Sequence, residues 1–230
     1  TVTASVLNIA NIARVIAKGG QSNESGSVTN LQTAHSLFGS DAHRMHTLGG
    51  APWNVLTDPT DPTDTSGGSY AVHECNILGV AIGHRLGLCN FALSGTRLQS
   101  WLKTAGTGYY QALALGVTDV GGCDWLTMGP CESDAVNGYS TAAYHADMVS
   151  FVASWLADFP GTRIIWRTLQ HIDTALALQA DQDKINAAIL AGAGSTHGQA
   201  TGDVSGVYLS EVRSVPAFPG NQLHWVTDQQ

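Results

Sequence analysis

Two kinds of hydrophobic pattern alternate along the 230 residues of the chain. Short apolar runs that end in glycine or polar turn residues predict buried strands, at 13–17, 45–48, 88–93, 125–128, 163–169 and 207–209. Longer stretches with apolar residues three and four positions apart predict helices, at 70–86, 108–117, 139–158 and 181–191. Gly87 is the expected stop of the first of these helices.

This alternation of strands and helices predicts the fold class. Strands separated by helices of this length form parallel sheets that are covered on both faces. We therefore expect an α/β protein, a three-layer α/β/α sandwich with a central parallel sheet, in a single domain that spans residues 1–230. Ligands of such sheets bind outside the carboxyl ends of the strands, so the turns after the strands are the segments to examine.

Charge and composition exclude several classes of function. The net charge is −8, with 10 Lys and Arg residues in all, and no basic stripe occurs. Nucleic-acid binding and docking on anionic membranes are therefore not expected, and a neutral substrate fits better. No apolar run reaches the roughly 18 residues of a membrane span. Residues 1–17 lack the basic start of a signal peptide, yet we expect an extracellular protein or one that belongs to a secreted or phage assembly.

Neither the cysteines nor the histidines predict a metal site or another cofactor. The four cysteines are not spaced as in a zinc ribbon or a redox motif and are expected to be buried thiols, with disulfide pairing left open: Cys75, Cys89, Cys123 and Cys131. Asp41, His43 and His46 lie close together in the sequence, but they lack a helical setting and a matching third ligand.

The turn after the first strand offers a nucleophile. Gly19 and Gly20 permit a tight turn, and Ser22 follows in the segment Gly20-Gln21-Ser22-Asn23. A serine on such a turn presents its hydroxyl at the end of the sheet, with backbone N–H groups aimed at a reacting carbonyl oxygen. The alternative is a serine that caps the following helix.

Three later turns carry further candidates. Gly95, in Ser94-Gly95-Thr96, could bring its N–H close to a ligand or could belong to an ordinary turn. Glu132 and Asp134 follow the strand at 125–128 and could be catalytic or could cap a helix. His224 lies in a loop near the chain end and is a candidate base, since the pKa of histidine lies near neutrality.

Together these four segments resemble the SGNH hydrolases, and among them the carbohydrate esterases similar to sialate O-acetylesterases. The matching segments are the GQSN turn at 20–23, the Gly-Thr turn at 95–96 with Trp101 after it, the Glu-Ser-Asp-Ala segment at 132–135, and the segment 221–224 that ends in His224. The similarity covers residues 12–226 and implies the flavodoxin-like SGNH hydrolase fold.

The resemblance also implies roles for individual residues. Ser22 would be the nucleophile and His224 its base, and the N–H groups of Ser22 and Gly95 would form part of the oxyanion hole. The residues expected in the oxyanion hole or against substrate are Gln21, Asn23, Gly95 and Trp101, although Trp101 could equally belong to the core. The reaction would be acyl transfer through an acyl-serine that water then hydrolyses.

The chain departs from the family pattern at two positions. Asn221 stands where the family has the Asp that orients the histidine, and Glu132 is our first choice for a substitute carboxylate. Gly129-Pro130-Cys131 stands where the family has Gln-Gly, so the glutamine side chain is missing. The expected substrate is an O-acetylated sugar or polysaccharide. The alternatives are a carbohydrate-binding or structural module of the same fold without turnover, and an esterase of broad specificity for small esters.

Overall fold

A computed structural model describes residues 12–20, 44–46, 54–56, 75, 78–79, 81–83, 85–93, 95–129, 132–169, 179–196 and 198–210. Within these residues one sheet forms the centre of the molecule. Its seven strands are β1 (Ile12–Gly19), β2 (Arg44–His46), β3 (Asn54–Val55), β4 (Arg85–Asn90), β5 (Trp125–Met128), β6 (Arg163–Arg167) and β7 (Val207–Ser210).

The strand order confirms the predicted fold class. The sheet reads β3-β2-β4-β1-β5-β6-β7, and all neighbouring strands are parallel except β2 and β3. Taken alone, the five strands β4-β1-β5-β6-β7 follow the flavodoxin-like order, in which the chain first moves to one side of β1 and then to the other. The crevice where a ligand binds in such a sheet lies between β1 and β5, outside their carboxyl ends.

Helical residues are described on both faces of the sheet. The described helices with assigned bounds are α1 (Tyr109–Asp119), α2 (Glu132–Val136), α3 (Thr141–Asp158) and α4 (Gln179–Ala193), with a 3₁₀ helix at Leu98–Trp101. Side chains of α1, α3 and α4 share one core with the sheet residues Ala17, Leu126, Met128, Ile164, Trp166, Val207 and Leu209. A second core lies on the opposite face, where Ile16, Leu86 and Leu88 pack with Cys75 and Leu56.

Side chains that follow each other along a strand belong to the cores on opposite faces of the sheet. Ile16 of β1 belongs to one core and the next residue, Ala17, to the other, as expected for side chains that alternate across a sheet. Fully buried aromatic residues fill the larger core, and Phe151 and Trp155 of α3 stack at 6.1 Å between ring centroids. Runs that are apolar at every position are typical of parallel strands covered on both faces.

The predicted bounds between the helix at 70–86 and the strand at 88–93 are wrong, since the strand runs from Arg85 to Asn90. Residues 85 and 86 belong to β4 and not to the helix predicted for 70–86, and Gly87 lies inside the strand instead of stopping a helix. The helical residues described in this part of the chain extend to Ile82, and Gly83, at φ +69°, follows them. A glycine at positive φ is the usual helix stop, so Gly83 and not Gly87 ends this helix.

The cysteines that the structure describes carry thiol groups. Cys75, Cys89 and Cys123 form no disulfide, while Cys131 lies outside the described residues. Burial raises the pKa of Cys89, and it raises that of Cys123 to about 11, so both remain protonated at neutral pH. Within the described part of the chain, no helix is both long enough and apolar enough to cross a membrane.

Candidate active site

The first three predicted turns meet at the carboxyl end of β1. Gly129, directly after β5, donates its N–H to the carbonyl of Gly19 at 3.0 Å. On the other side of β1, Leu93 donates its N–H to the carbonyl of Gly20, also at 3.0 Å. The segments that follow β4 and β5 are therefore hydrogen-bonded to the end of β1, where the flavodoxin-like order opens its crevice.

Gly20 makes this close meeting of backbones possible. Its φ is +124°, a conformation that residues with a side chain rarely adopt. A Cβ at this position would lie 2.9 Å from the carbonyl oxygen of Gly129 and 3.1 Å from its Cα and N. The sequence predicted a tight turn here, and the structure shows that contact with a neighbouring backbone also demands glycine.

Gly95 lies exposed at the turn after β4, with φ +74° and no atom within 4 Å of where a Cβ would be. Among the described residues, no group accepts a hydrogen bond from its N–H. The N–H group is therefore not used by the described residues and is available to a ligand, as an oxyanion donor must be.

Thr96 fastens this turn to the first one. Its buried hydroxyl group donates toward the carbonyls of Leu93 and Gly20, at 2.8 and 3.2 Å. The same oxygen accepts the indole N–H of Trp101 at 3.0 Å. The side chain of Thr96 thus links the backbone of the first turn to the aromatic core beneath the second.

Trp101 belongs to the core. Its side chain is fully buried and lies beside Tyr109, with 5.6 Å between ring centroids. A ring without an exposed face cannot stack on a sugar, so of the two alternatives that the sequence left open the structure favours the core residue. Trp101 supports the second turn from below.

The turn after β5 leads into α2, which carries both predicted carboxylates. Glu132 lies in the first turn of this helix and is 5% exposed, and Asp134 is fully buried. Oδ2 of Asp134 accepts the backbone N–H of Leu98 at 2.8 Å, which joins α2 to the segment that follows Gly95. Lys18 of β1 and Thr127 of β5, which lie side by side in the sheet, are also fully buried.

The surroundings of Asp134 shift its protonation. Burial raises its pKa to about 6, because removal from water disfavours the charged form. The Leu98 N–H and the nearby Arg97 guanidinium act in the opposite direction, and the Asp147 carboxylate adds to the effect of burial. Asp134 is thus a carboxyl group held in an environment that opposes its charge.

The remaining predicted site residues lie outside the described residues. These are Gln21, Ser22, Asn23, Asn221 and His224. The pairing of Ser22 with His224 therefore stays a prediction, as does the role of Asn221. Of the predicted site residues, the structure describes Gly95, Trp101 and Glu132, and it brings the segments that carry them together at one edge of the sheet.

Two residues that organise this edge were not recognised as such from the sequence. The sequence predicts Thr96 only as part of the Gly-Thr turn, and Asp134 only as a catalytic or capping carboxylate. Thr96 donates to the Gly20 carbonyl 76 positions away and Asp134 accepts the Leu98 N–H 36 positions away, so local spacing does not reveal these two contacts.

No residues with the character of a metal site are brought together in the described part of the chain. No group of three or more His, Cys, Asp or Glu side chains there could hold an ion. The side chains of Asp41, His43 and His46 lie outside what the structure describes.

Of the comparisons with known proteins, the one with solved structures bears on the fold. No protein-family model matches the chain. No curated protein matches it either. Among solved structures, a protein of Arabidopsis thaliana superposes with a TM-score of 0.72 at 16% identity, over 94% of this chain and 92% of that one. A carbohydrate acetylesterase from Xanthomonas citri superposes with a TM-score of 0.55 at 13% identity, over 86% of this chain and 49% of that one. The chain therefore has a fold that is also found in a carbohydrate acetylesterase.

Proposed function

We propose that the chain is a serine esterase that removes O-acetyl groups from a sugar or polysaccharide. The observation that carries the proposal is the meeting of three turns at the end of β1. One turn contains Gly95, whose N–H makes no hydrogen bond to a described residue, and another leads into α2 with the buried carboxyl group of Glu132. Ser22 follows the first turn by two residues in the sequence. The fold shared with a carbohydrate acetylesterase supports the choice of substrate.

In the proposed reaction, the Ser22 hydroxyl attacks the carbonyl carbon of the acetyl ester while His224 takes its proton. The N–H groups of Gly95 and Ser22 stabilise the oxyanion, and each such donor typically lowers the barrier by about 3 kcal/mol. The sugar oxygen leaves with the proton from His224. Water, activated by the same imidazole, then releases acetate and restores the serine.

The test is hydrolysis of a chromogenic acetyl ester by the full chain and by Ser22→Ala. We expect the variant to lose hydrolysis and to keep its fold, as followed by circular dichroism, because the substitution removes only a small hydroxyl group. Full activity in Ser22→Ala would refute the assignment.

The choice of substrate is tested by release of acetate from an acetylated glycan. Faster release from the glycan than from small esters supports a carbohydrate esterase, and the reverse supports an esterase of broad specificity. Binding of the glycan with no release from any ester would indicate a module without turnover.

The orientation of His224 is tested by one variant that adds a carboxylate, Asn221→Asp, and one that removes a carboxylate, Glu132→Gln. An amide holds an imidazole but does not stabilise its charged form, and replacing Asp by Asn in a Ser-His-Asp site can cost roughly 10⁴ in turnover. We therefore expect Asn221→Asp to raise kcat. If Glu132 supplies the missing charge, Glu132→Gln lowers kcat and Asn221→Asp restores part of it in the double variant. An unchanged kcat from Asn221→Asp in both backgrounds would contradict the place of Asn221 beside His224.

A further inference from the structure

We propose that Asp134 is a positioning residue that holds the 95–98 segment, and with it the Gly95 N–H, in the place that oxyanion binding requires. The inference rests on the proposed function, since it assigns a purpose to Asp134 through the role of Gly95 in that reaction. Asp134 itself is not expected to touch substrate, because it is fully buried.

The 3₁₀ helix at Leu98–Trp101 lacks a cap from its own N-cap residue. The residue at its N-cap position, Arg97, makes no side-chain hydrogen bond to the helix end. The first N–H groups of a helix have no partner within the helix and need one from elsewhere. Asp134 supplies it from α2, 36 positions along the chain, through its 2.8 Å hydrogen bond from the Leu98 N–H.

Both residues that form this hydrogen bond are buried. Leu98 and Asp134 are each fully buried, so water cannot replace either partner. Oδ1 of Asp134 is also buried and has no hydrogen-bond partner among the described residues. Burial of an ionisable side chain costs free energy, and the hydrogen bond that Oδ2 accepts from Leu98 offsets part of that cost.

The helix α2 carries two carboxylates that point to different sides. Glu132 and Asp134 are two residues apart, and side chains at this spacing on a helix point to different sides. Asp134 points to the segment that follows Gly95, which leaves Glu132 directed elsewhere. One short helix thereby fixes the distance between the turn with the candidate oxyanion donor and the candidate carboxylate.

Asp124 provides a matched control. Its Oδ2 also accepts a backbone N–H at 2.8 Å, from Val15. Asp124 directly precedes β5, whereas Asp134 follows that strand, so the two contacts lie at opposite ends of the sheet. Loss of the Asp124 contact should affect stability without affecting the carboxyl edge.

The experiment compares Asp134→Ala, Asp134→Asn and Asp124→Ala in the full chain. We measure kcat and KM for a chromogenic acetyl ester, and exchange of the Leu98 and Val15 amide protons by NMR. Displacement of a catalytic group by about 1 Å can cost roughly 100-fold. We expect Asp134→Ala to lower kcat by roughly 10- to 100-fold with a smaller effect on KM.

The other two variants separate positioning from stability. Asp134→Asn keeps an oxygen that can accept the Leu98 N–H, so most of kcat should return. Asp124→Ala should accelerate exchange at Val15 and leave kcat within about 2-fold of the wild-type value, the shift expected of a residue remote from the chemistry. Asp134→Ala should accelerate exchange at Leu98.

Two results would overturn the inference. One is an unchanged kcat in a folded Asp134→Ala protein. The other is a Leu98 amide that exchanges in the wild-type chain as fast as an unprotected one, a measurement that needs no variant to fold. If the wild-type chain hydrolyses no ester, the proposed function fails, and the exchange data alone still decide whether Asp134 fixes the turn.

Discussion

Gly20 is the residue on which the geometry of the candidate site depends most directly. It combines a positive φ with contact to the backbone of Gly129, and a backbone cannot move aside as a flexible side chain can. Both demands arise because two turns approach each other at the crevice between β1 and β5.

We expect Gly20→Ala to lower the free energy of unfolding by roughly 2–4 kcal/mol, as the sum of backbone strain and steric overlap. Gly121→Ala is the control, since Gly121 has φ +85° but no atom within 4 Å of a Cβ. It should cost only the strain, about 1 kcal/mol. Urea denaturation of both variants measures the difference, and equal losses would show that the contact with Gly129 contributes nothing.

Some residues of the candidate site can be identified from the sequence, and the roles of others cannot. Gly95 and Glu132 were chosen from their place in a turn after a strand, and both lie at the edge that the fold assigns to ligands. The burial of Trp101 could not be predicted, because an apolar aromatic residue next to a turn suits a binding surface and a core equally well. The role of Asp134 depends on a contact 36 positions away in the chain, which no local pattern contains.

The end of α4 is fixed by the chain that follows it. Asp203, Val204 and Thr201 donate their N–H groups to the carbonyls of Ala191, Gly192 and Ala193, the last residues of the helix. These carbonyls have no partner within the helix, so the 201–204 segment acts as its cap. The segment then leads directly to β7 and sets the position of that strand.

This cap requires a glycine at position 202. A Cβ there would overlap the carbonyl oxygen of Gly192 and would lie 2.5 Å from the nitrogen of Gly194. We expect Gly202→Ala to lower the free energy of unfolding by roughly 2–3 kcal/mol through overpacking. Gly198→Ala, in the same connection and with open space around it, should cost about 1 kcal/mol. Thermal or urea denaturation that ranks the two variants in the opposite order would contradict this view of the cap.

Elements with a strong pattern were predicted well. The strand at Trp125–Met128 and the end of the helix at Asp158 agree with the structure, because apolar runs and apolar faces mark them directly. The error at 85–87 has a different origin, since only residues 83 and 84 separate the last described helical residue from β4. Both Gly83 and Gly87 are residues that commonly end a helix. Only the backbone conformation distinguishes them, since Gly83 has a positive φ and Gly87 lies inside β4.

For the whole molecule, the strand order is the property that connects fold and function. The central strands β4-β1-β5-β6-β7 bring the turns after β4 and β5 to the two sides of β1. Alternation of strands and helices predicted a parallel sheet, but the order in which strands pair is set by long-range packing. The short antiparallel strand β3 at the edge is an example, since two residues leave no recognisable pattern.

We propose that Ser22, activated by His224, is the nucleophile at the carboxyl end of β1. The most direct measurement is mass spectrometry of the full chain after reaction with a fluorophosphonate, which labels activated serines covalently. We predict one adduct per chain, on the peptide that contains Ser22, and no adduct in His224→Ala. A folded wild-type protein that takes up no label, or takes it up at another serine, would contradict the account.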